Sequence, residues 1–256
     1  MIYFRLVVIN LKSAMEHRIS FFMTIIGQFI TAFTFLFGLS FLLDQVDAID
    51  GFTRGQVFLC FAVVMMAFSL GEMFGGGLAV FSRMLATGSF DRVLLRPRNA
   101  LLQVLASGMD SSRLGLTAQA ALVLMVALPQ SGICWGWQKI LTLTLMVLCG
   151  AALFFSIFMI QAALSFFALA SLNFMNVFTY GARSFGKYPF SVYGKGVLCI
   201  LTFVLPMAWF QYYPFLFLLD RTVNPLWMLS PLAALLFLVP AAFLFRFGLR
   251  HHQSVG

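Results

Sequence analysis

Charge is what this sequence has least of. Of its 256 residues only 9% are Asp, Glu, Lys or Arg, against roughly 25% in an ordinary soluble domain. Most of such a chain cannot be offered to water, so no soluble nucleotide-binding or DNA-binding domain fits within it. The parts of a catalyst are as scarce. There are three histidines, His17, His251 and His252, all near the two ends, too far from any carboxylate cluster to build a metal site. No H-E-x-x-H or G-x-S-x-G occurs. Gly186-Lys187 and Gly194-Lys195 lack the loop glycine and the Ser/Thr of a phosphate loop. The four cysteines, Cys60, Cys134, Cys149 and Cys199, show no C-x-x-C spacing and read as small apolar packing residues, with only Cys134 in a loop. The reading is therefore of a protein that is not an enzyme and has no metal or cofactor of its own.

Apolar length is abundant: 62% of residues are hydrophobic and the mean hydropathy is +0.98. A ~30 Å hydrocarbon layer takes ~20 helical residues to cross, and six such crossings account for the runs present. Residues 1–18 are interrupted by Arg5, Lys12 and Glu16, but at 100° per residue Tyr3, Phe4, Val7, Val8, Leu11, Ala14 and Met15 form one stripe, the pattern of an amphipathic helix lying in the membrane interface. Spans run from about Ile19 to Leu43, Gly55 to Val80, Asp110 to Leu128 and Ile140 to Leu164. Residues 165–195 form a cytoplasmic connection, with Ser165 to Tyr180 extending the fourth span or lying in the interface before a basic loop carrying Arg183, Lys187 and Lys195. The fifth span starts near Gly196 and is broken by Pro206 and Tyr212-Tyr213-Pro214; irregular backbone there needs protein cover. The sixth runs from about Pro225 to Phe247.

Charge orients the spans. Asp44, Asp47 and Asp50 mark an outer loop, and Arg83, Arg92, Arg96 and Arg98 an inner one. With both termini cytoplasmic, thirteen of the sixteen Lys and Arg lie inside, leaving Arg54, Lys139 and Arg221 outside. Trp135, Trp137, Trp209 and Trp227 then all fall near the outer interface, as an aromatic belt requires. The formal charge of +8 belongs to this bias, not to a nucleic-acid-binding face.

An ionisable group inside a span is a functional candidate. Glu72, in Gly71-Glu72-Met73-Phe74-Gly75-Gly76-Gly77, is the clearest: either a coupling carboxylate for protons or, the reading preferred, a carboxylate paired with a basic neighbour beside glycines that allow close helix packing. Asp110 and Arg113 are one turn apart and can pair on one helix face. The loop Gly88-Ser-Phe-Asp-Arg-Val-Leu-Leu-Arg-Pro-Arg-Asn99 reads as a stubby helix: Ser89 as cap, Asp91 at its positive end, Arg92 and Arg96 four apart, Pro97 as stop. Exposed Phe90, Leu94 or Leu95 beside arginines would make a protein-docking peg.

That loop resembles the one that bacterial ABC type 2 permeases carry, in the subgroup whose ATPase is a separate chain. Tyr188-Pro189-Phe190-Ser191-Val192-Tyr193-Gly194, Leu205-Pro206 with Tyr212-Tyr213-Pro214, and Gly248-Leu249-Arg250 with Gln253-Ser254-Val255-Gly256 are similar to family segments in family order, over essentially the whole chain. The resemblance implies an all-α integral membrane permease, one transmembrane domain of six spans with an interfacial N-terminal helix. It implies a cytoplasmic coupling helix, Phe90 to Arg96 within the 81–99 loop and followed by Pro97, docked on the ATPase. A second cytoplasmic contact would come from Lys187, Tyr188, Pro189 and Tyr193, and Leu205 to Asp220 would be an outer re-entrant element. The implied partners are ABC ATPase subunits, which hold ATP and Mg, a second permease copy or a sister permease, and membrane lipid, with no nucleic acid. The implied activity is export of an amphiphile (drug, antimicrobial peptide or lipid) across the bacterial plasma membrane. Two rivals stand beside it: a proton-coupled transporter using Glu72, which lacks the internal repeat such a protein needs, and a non-transporting membrane scaffold.

Overall fold

The computed structural model describes residues 18–44, 50–97, 99–108, 111–167, 177–222 and 224–251. The interfacial helix expected over the first residues, the 168–176 part of the connection, Asp47, Arg98, Asp110 and the tail from His252 onward lie outside these. Among the described residues every regular element is helical apart from an isolated bridge residue at Phe52.

The chain opens with α1, Arg18–Asp44. After the loop at Asp50 comes α2, Arg54–Ala79, whose start is fixed where the Thr53 N–H donates to Gln56 Oε1 at 3.1 Å. This helix is apolar on every side and buried on nearly every side, as a central helix must be; from Val57 to Val64 every residue is buried. A break at Val80 leads to α3, Phe81–Ala86, then to α4, Ser89–Leu94, and α5, Ala100–Ser107. Beyond them are two long helices, α6, Ser111–Gln130, and α7, Trp137–Ser165. They flank α2 and, with it, enclose the core.

The second half is more broken. A π-helical turn, Val177–Gly181, runs into α8, Ala182–Phe185, and a 3-10 turn, Phe190–Tyr193, into α9, Gly194–Phe203. Next come α10, Met207–Phe210, and α11, Tyr212–Leu218. The last stretch alternates between 3-10 and α geometry: Pro225–Leu229, α12 at Pro231–Ala234, Leu235–Phe237 and α13 at Leu238–Arg250. The segment α13 packs along α7.

Three helical stretches among the described residues are long and apolar enough to cross a membrane: Arg54–Ala86, Trp137–Ser165 and Pro231–Arg250. A fourth candidate is the pair Phe190–Phe203 and Met207–Leu218, bent by 95°. The bend falls at Val204 to Pro206, the position where proline chemistry predicts the fifth span to break.

Candidate functional site

The peg between α3 and α5 is built from the inside outward. Phe90 stands at its root, 0% exposed, with its ring edge-on to Phe81 at 4.9 Å and to Phe166 at 5.9 Å. The expectation that Phe90 is an exposed anchor is thus corrected: a benzyl group at the first turn of α4 has the Phe81, Phe166 and Phe245 cluster to pack on, and burial is worth more than display. Residues 94–97 make the tip. Leu94 is 44% exposed and Leu95 84%, with Arg92, Arg96 and Pro97 exposed around them. Helix α4 ends at Leu94, so Arg96 lies just past it.

The cap also differs from expectation. Gly88, at φ +66°, occupies the position before α4, a left-handed conformation that favours glycine. Ser89 is instead the first helical residue, and its hydroxyl donates back to the Met84 carbonyl at 3.1 Å, closing the end of α3. Asp91 lies in the first turn of α4, as the helix dipole favours. Beyond the peg, Asn99 Oδ1 accepts from the Leu101 and Leu102 N–H groups to cap α5, and Gln103 Nε2 donates to the Val93 carbonyl at 3.3 Å. Both ends of α4 are therefore tied to neighbouring helices while its apex stands clear.

The bend at Val204 to Pro206 is held by aromatic rings. Tyr213 stacks on Trp227 at 4.4 Å and 13°, Trp209 lies 5.3 Å from Tyr213 and 6.1 Å from Trp227, and Tyr212 sits edge-on to Tyr213. Trp209 Nε1 donates to the Thr202 carbonyl at 3.1 Å across the bend, where Pro206 leaves backbone groups to be satisfied. Pro214 is buried in the first turn of α11, where its missing N–H costs no helical bond. At the neighbouring edge, Lys139 Nζ lies 2.6 Å from Asp220 Oδ2, and Arg221 covers the Phe52 ring at 4.1 Å while donating to the Gly51 carbonyl.

Glu72 has the basic partner that the sequence reading prefers. Arg113 Nη1, from α6, lies 3.2 Å from Glu72 Oε1, with the two side chains 13% and 12% exposed. The same guanidinium donates to the Glu72 and Gly76 backbone carbonyls, and the Tyr180 hydroxyl donates to Oε1 at 3.2 Å. Asp110, the partner that spacing suggests for Arg113, lies outside the described residues. The glycines beside Glu72 are there for approach: a Cβ on Gly71 would meet the Ala151 carbonyl and Phe154 of α7, on Gly76 the Arg113 guanidinium, and on Gly77 the Val104 backbone of α5.

Residues Lys187 to Tyr193 do not stand out as a free loop. The Gly186 carbonyl faces Cys60 Sγ, and Gln211 Nε2 donates to the Tyr188 carbonyl at 3.2 Å. Pro189 and Phe190 are buried, and the Tyr193 hydroxyl donates to the Phe185 carbonyl at 3.0 Å. The stretch 180–188 lies along α2 from Glu72 back toward Cys60; of the expected second contact, Lys187, Tyr188 and Tyr193 are half-buried, and Val192 beside them is exposed.

The same path reveals a cavity of about 650 Å³ bounded by α1, α2, α6 and residues 180–187. Phe61, Met65 and Leu116 supply apolar wall, while Glu72, Gln119, Tyr180, Arg183 and Lys187 supply polar wall. Arg183 lies over the Phe68 ring at 4.8 Å with Nε 3.2 Å from Met65 Sδ. Sequence reasoning treats Arg183 as a loop charge, gives Lys187 to the second docking contact, and does not single out Gln119 or Gln211. The signal that could have found the two glutamines is polarity out of place: Gln211 is flanked by Phe210 and Tyr212, and Gln119 sits inside an apolar run.

A family model described as "ABC-2 family transporter protein" matches residues 29–256. No curated protein and no solved structure matches the chain.

Proposed function

Because the chain belongs to the ABC-2 transporter family and is a membrane-embedded protein of it, we propose that it is the permease subunit of an ATP-driven exporter whose ATPase is a separate subunit. In this reading the chain crosses six times, through α1, α2, α6, α7, the bent α9 to α11 pair and the α12 to α13 segment, with both termini cytoplasmic. It works as a dimer with a second copy or a sister permease in a bacterial plasma membrane. ATP and Mg sit on the partner; this chain performs no covalent chemistry and moves an amphiphile.

The observation that supports this reading best is the peg. A docking element that transmits force needs an exposed tip and an immobile root; α4 and the residues just past its end place Leu95 between Arg92 and Arg96 above a fully buried Phe90. Asp91, Leu94 and Pro97 complete its outer surface and its end. Closure of the ATPase pair around nucleotide would push on two such pegs and shift the spans between two packed arrangements, each favoured by different contacts. The direct connection of α4 to α2 through α3 gives that push a short path to the bundle centre.

The test is co-purification of the full chain with its ATPase, comparing wild type with Arg92→Glu/Arg96→Glu. Retained ATPase in wild type, with release or loss of coupled ATP turnover in the variant, upholds the reading. An ATPase that never binds, or binds both forms alike, removes α4 from the interface and returns the proton-coupled and scaffold readings.

A further inference from the structure

The cavity beside Arg183 is lined by more positive charge than negative. Among the described residues its one carboxylate, Glu72, is ion-paired with Arg113 at 3.2 Å, receives the Tyr180 hydroxyl and also attracts Arg183. Arg183 and Lys187 line the same space, one helical turn apart in sequence, and no carboxylate lies within ion-pair distance of Arg183 among the described residues. Arg183 rests on a thioether sulfur and an aromatic face, and neither contact uses its terminal guanidinium nitrogens. On the α6 wall Gln119 is 3% exposed, and its Oε1 accepts no hydrogen bond from any described residue.

Cations inside a membrane protein are costly unless they face a partner or a wet cavity. Here two line one cavity that also has an apolar wall, at Phe61, Met65 and Leu116. Its volume falls within the roughly 300–1,000 Å³ of small-molecule sites. The outer wall is α1, where Gly27 lines the cavity and a Cβ placed on it would meet nothing within 4 Å. The residues of α1 on either side, Met23 and Ile30, are exposed and apolar, the surface expected to face lipid tails.

We propose that this cavity binds an acidic amphiphile, an alkyl chain bearing a phosphate or carboxylate head group, entering from the bilayer past Gly27. Arg183 and Lys187 hold the anion, the guanidinium in its forked geometry and the ammonium as a point charge. Gln119 Oε1 accepts from a hydroxyl where the head group carries one, and the alkyl chain lies against Phe61, Met65 and Leu116. This rests on the permease reading and adds to it a substrate class: an anionic head group, selected over cationic or zwitterionic ones by two adjacent cations.

The test uses the full chain, reconstituted in vesicles of equal phosphatidylcholine and phosphatidylglycerol, extracted in neutral detergent and analysed by native mass spectrometry for retained lipid. Wild type retains phosphatidylglycerol over phosphatidylcholine by about tenfold, the scale of one or two charge-assisted hydrogen bonds. Arg183→Gln/Lys187→Gln erases that preference, Arg183→Lys keeps part of it, and Lys195→Gln, an exposed cation outside the cavity, leaves it unchanged. Gly27→Leu, for which there is open space, reduces retention of both lipids without unfolding the chain. Equal retention of the two lipids by wild type, or a preference that survives the double glutamine variant, overturns the proposal. A second arm identifies the source of the amphiphile. Lysophosphatidylglycerol added to the chain with its ATPase raises ATP turnover if the cavity takes cargo. Flat turnover overturns the substrate assignment and makes the occupant a resident bilayer lipid in the same site. Lipid retention is read without the ATPase, so failure here and failure of the permease reading are separate results.

Discussion

Arg113 on α6 joins Glu72 on α2 by side chain and by backbone at once: Nη1 lies 3.2 Å from Oε1 and donates to the Glu72 carbonyl at 2.9 Å. One guanidinium thus ties two helices together next to a run of glycines that lets it approach. A carboxylate held this way is a structural partner first. In a mostly buried pair, losing one member leaves the other desolvated and uncompensated.

Two substitutions separate the members. Glu72→Gln retains an acceptor oxygen for Arg113 and Tyr180 but leaves the guanidinium without its counter-charge, and is expected to cost about 3 kcal/mol, seen as a drop of roughly 6–12 °C in apparent melting temperature for a chain of this size. Arg113→Ala loses the carbonyl contacts as well and is expected to cost more. ATP-driven export by Glu72→Gln continues in vesicles with no proton gradient. Transport that stops in this variant while its melting temperature holds would instead make Glu72 the coupling carboxylate of a secondary transporter.

Root and tip of the peg should respond differently. Phe90→Ala removes a fully buried ring from among Phe81 and Phe166 and is expected to cost about 3–5 kcal/mol of stability, lowering the yield of monodisperse protein in detergent. Leu95→Asp, at an 84% exposed position, leaves melting unchanged and weakens ATPase retention at least about tenfold, as loss of a central apolar contact does. Loss of ATPase with Phe90→Ala but not with Leu95→Asp, at equal folding, would place the contact elsewhere.

Locality separates the features that one sequence can supply from those it cannot. Helices α2 and α7 lie within a few residues of the spans predicted from apolar run length and flanking charge, and the 95° bend falls beside Pro206 because proline's missing N–H is a local property. The partner of Glu72 is not local: Arg113 is 41 residues away, and a single chain carries no record of which helices touch. Phe90, Leu94 and Leu95 all sit on one short helix or its end, so periodicity could not say which would turn inward; Phe166 and Phe245, far along the sequence, decide it. For the same reason Arg183 reads as a loop charge and Lys187 as part of a docking contact, and their shared cavity emerges only when 180–187 packs along α2.

The glycines on α2 make a sharper prediction. An exposed helical Gly→Ala change adds helix propensity, about 1 kcal/mol in favour of folding, and Gly38→Ala on α1, with nothing within 4 Å of the new methyl, should be neutral or stabilising. Gly77→Ala has no such freedom, because the methyl would run into the Val104 carbonyl of α5. Backbone cannot rotate aside as a side chain can, so the cost exceeds the usual 1–3 kcal/mol or so of overpacking. Size-exclusion profiles of the two variants check it: a normal peak for Gly38→Ala, aggregate or none for Gly77→Ala.

Gln211, between α10 and α11, ties the 186–188 turn to α2, and its removal can be read through a thiol. Its Nε2 donates to the Tyr188 carbonyl and to Cys60 Sγ, and Cys60 is itself fully buried beside the Gly186 carbonyl. Cys134 and Cys199 are exposed, whereas Cys60 and Cys149 are buried. A maleimide reagent should therefore label Cys134 and Cys199 in the folded protein and spare Cys60 and Cys149, since reaction needs access and an ionised sulfur. Gln211→Ala leaves the Tyr188 carbonyl without its side-chain donor, at about 1–3 kcal/mol, and opens a gap between α2 and the 186–188 turn. In a Cys134→Ser/Cys199→Ser background, Gln211→Ala is expected to raise the labelling rate of Cys60 at least about tenfold, in line with that loss of local stability. Cys149, on α7 rather than at this turn, keeps its wild-type rate. Equal Cys60 rates with and without Gln211 would mean that ring contacts such as Phe210 on Phe154 and Phe215 on Phe52, and not Gln211, hold α10 and α11 against the bundle.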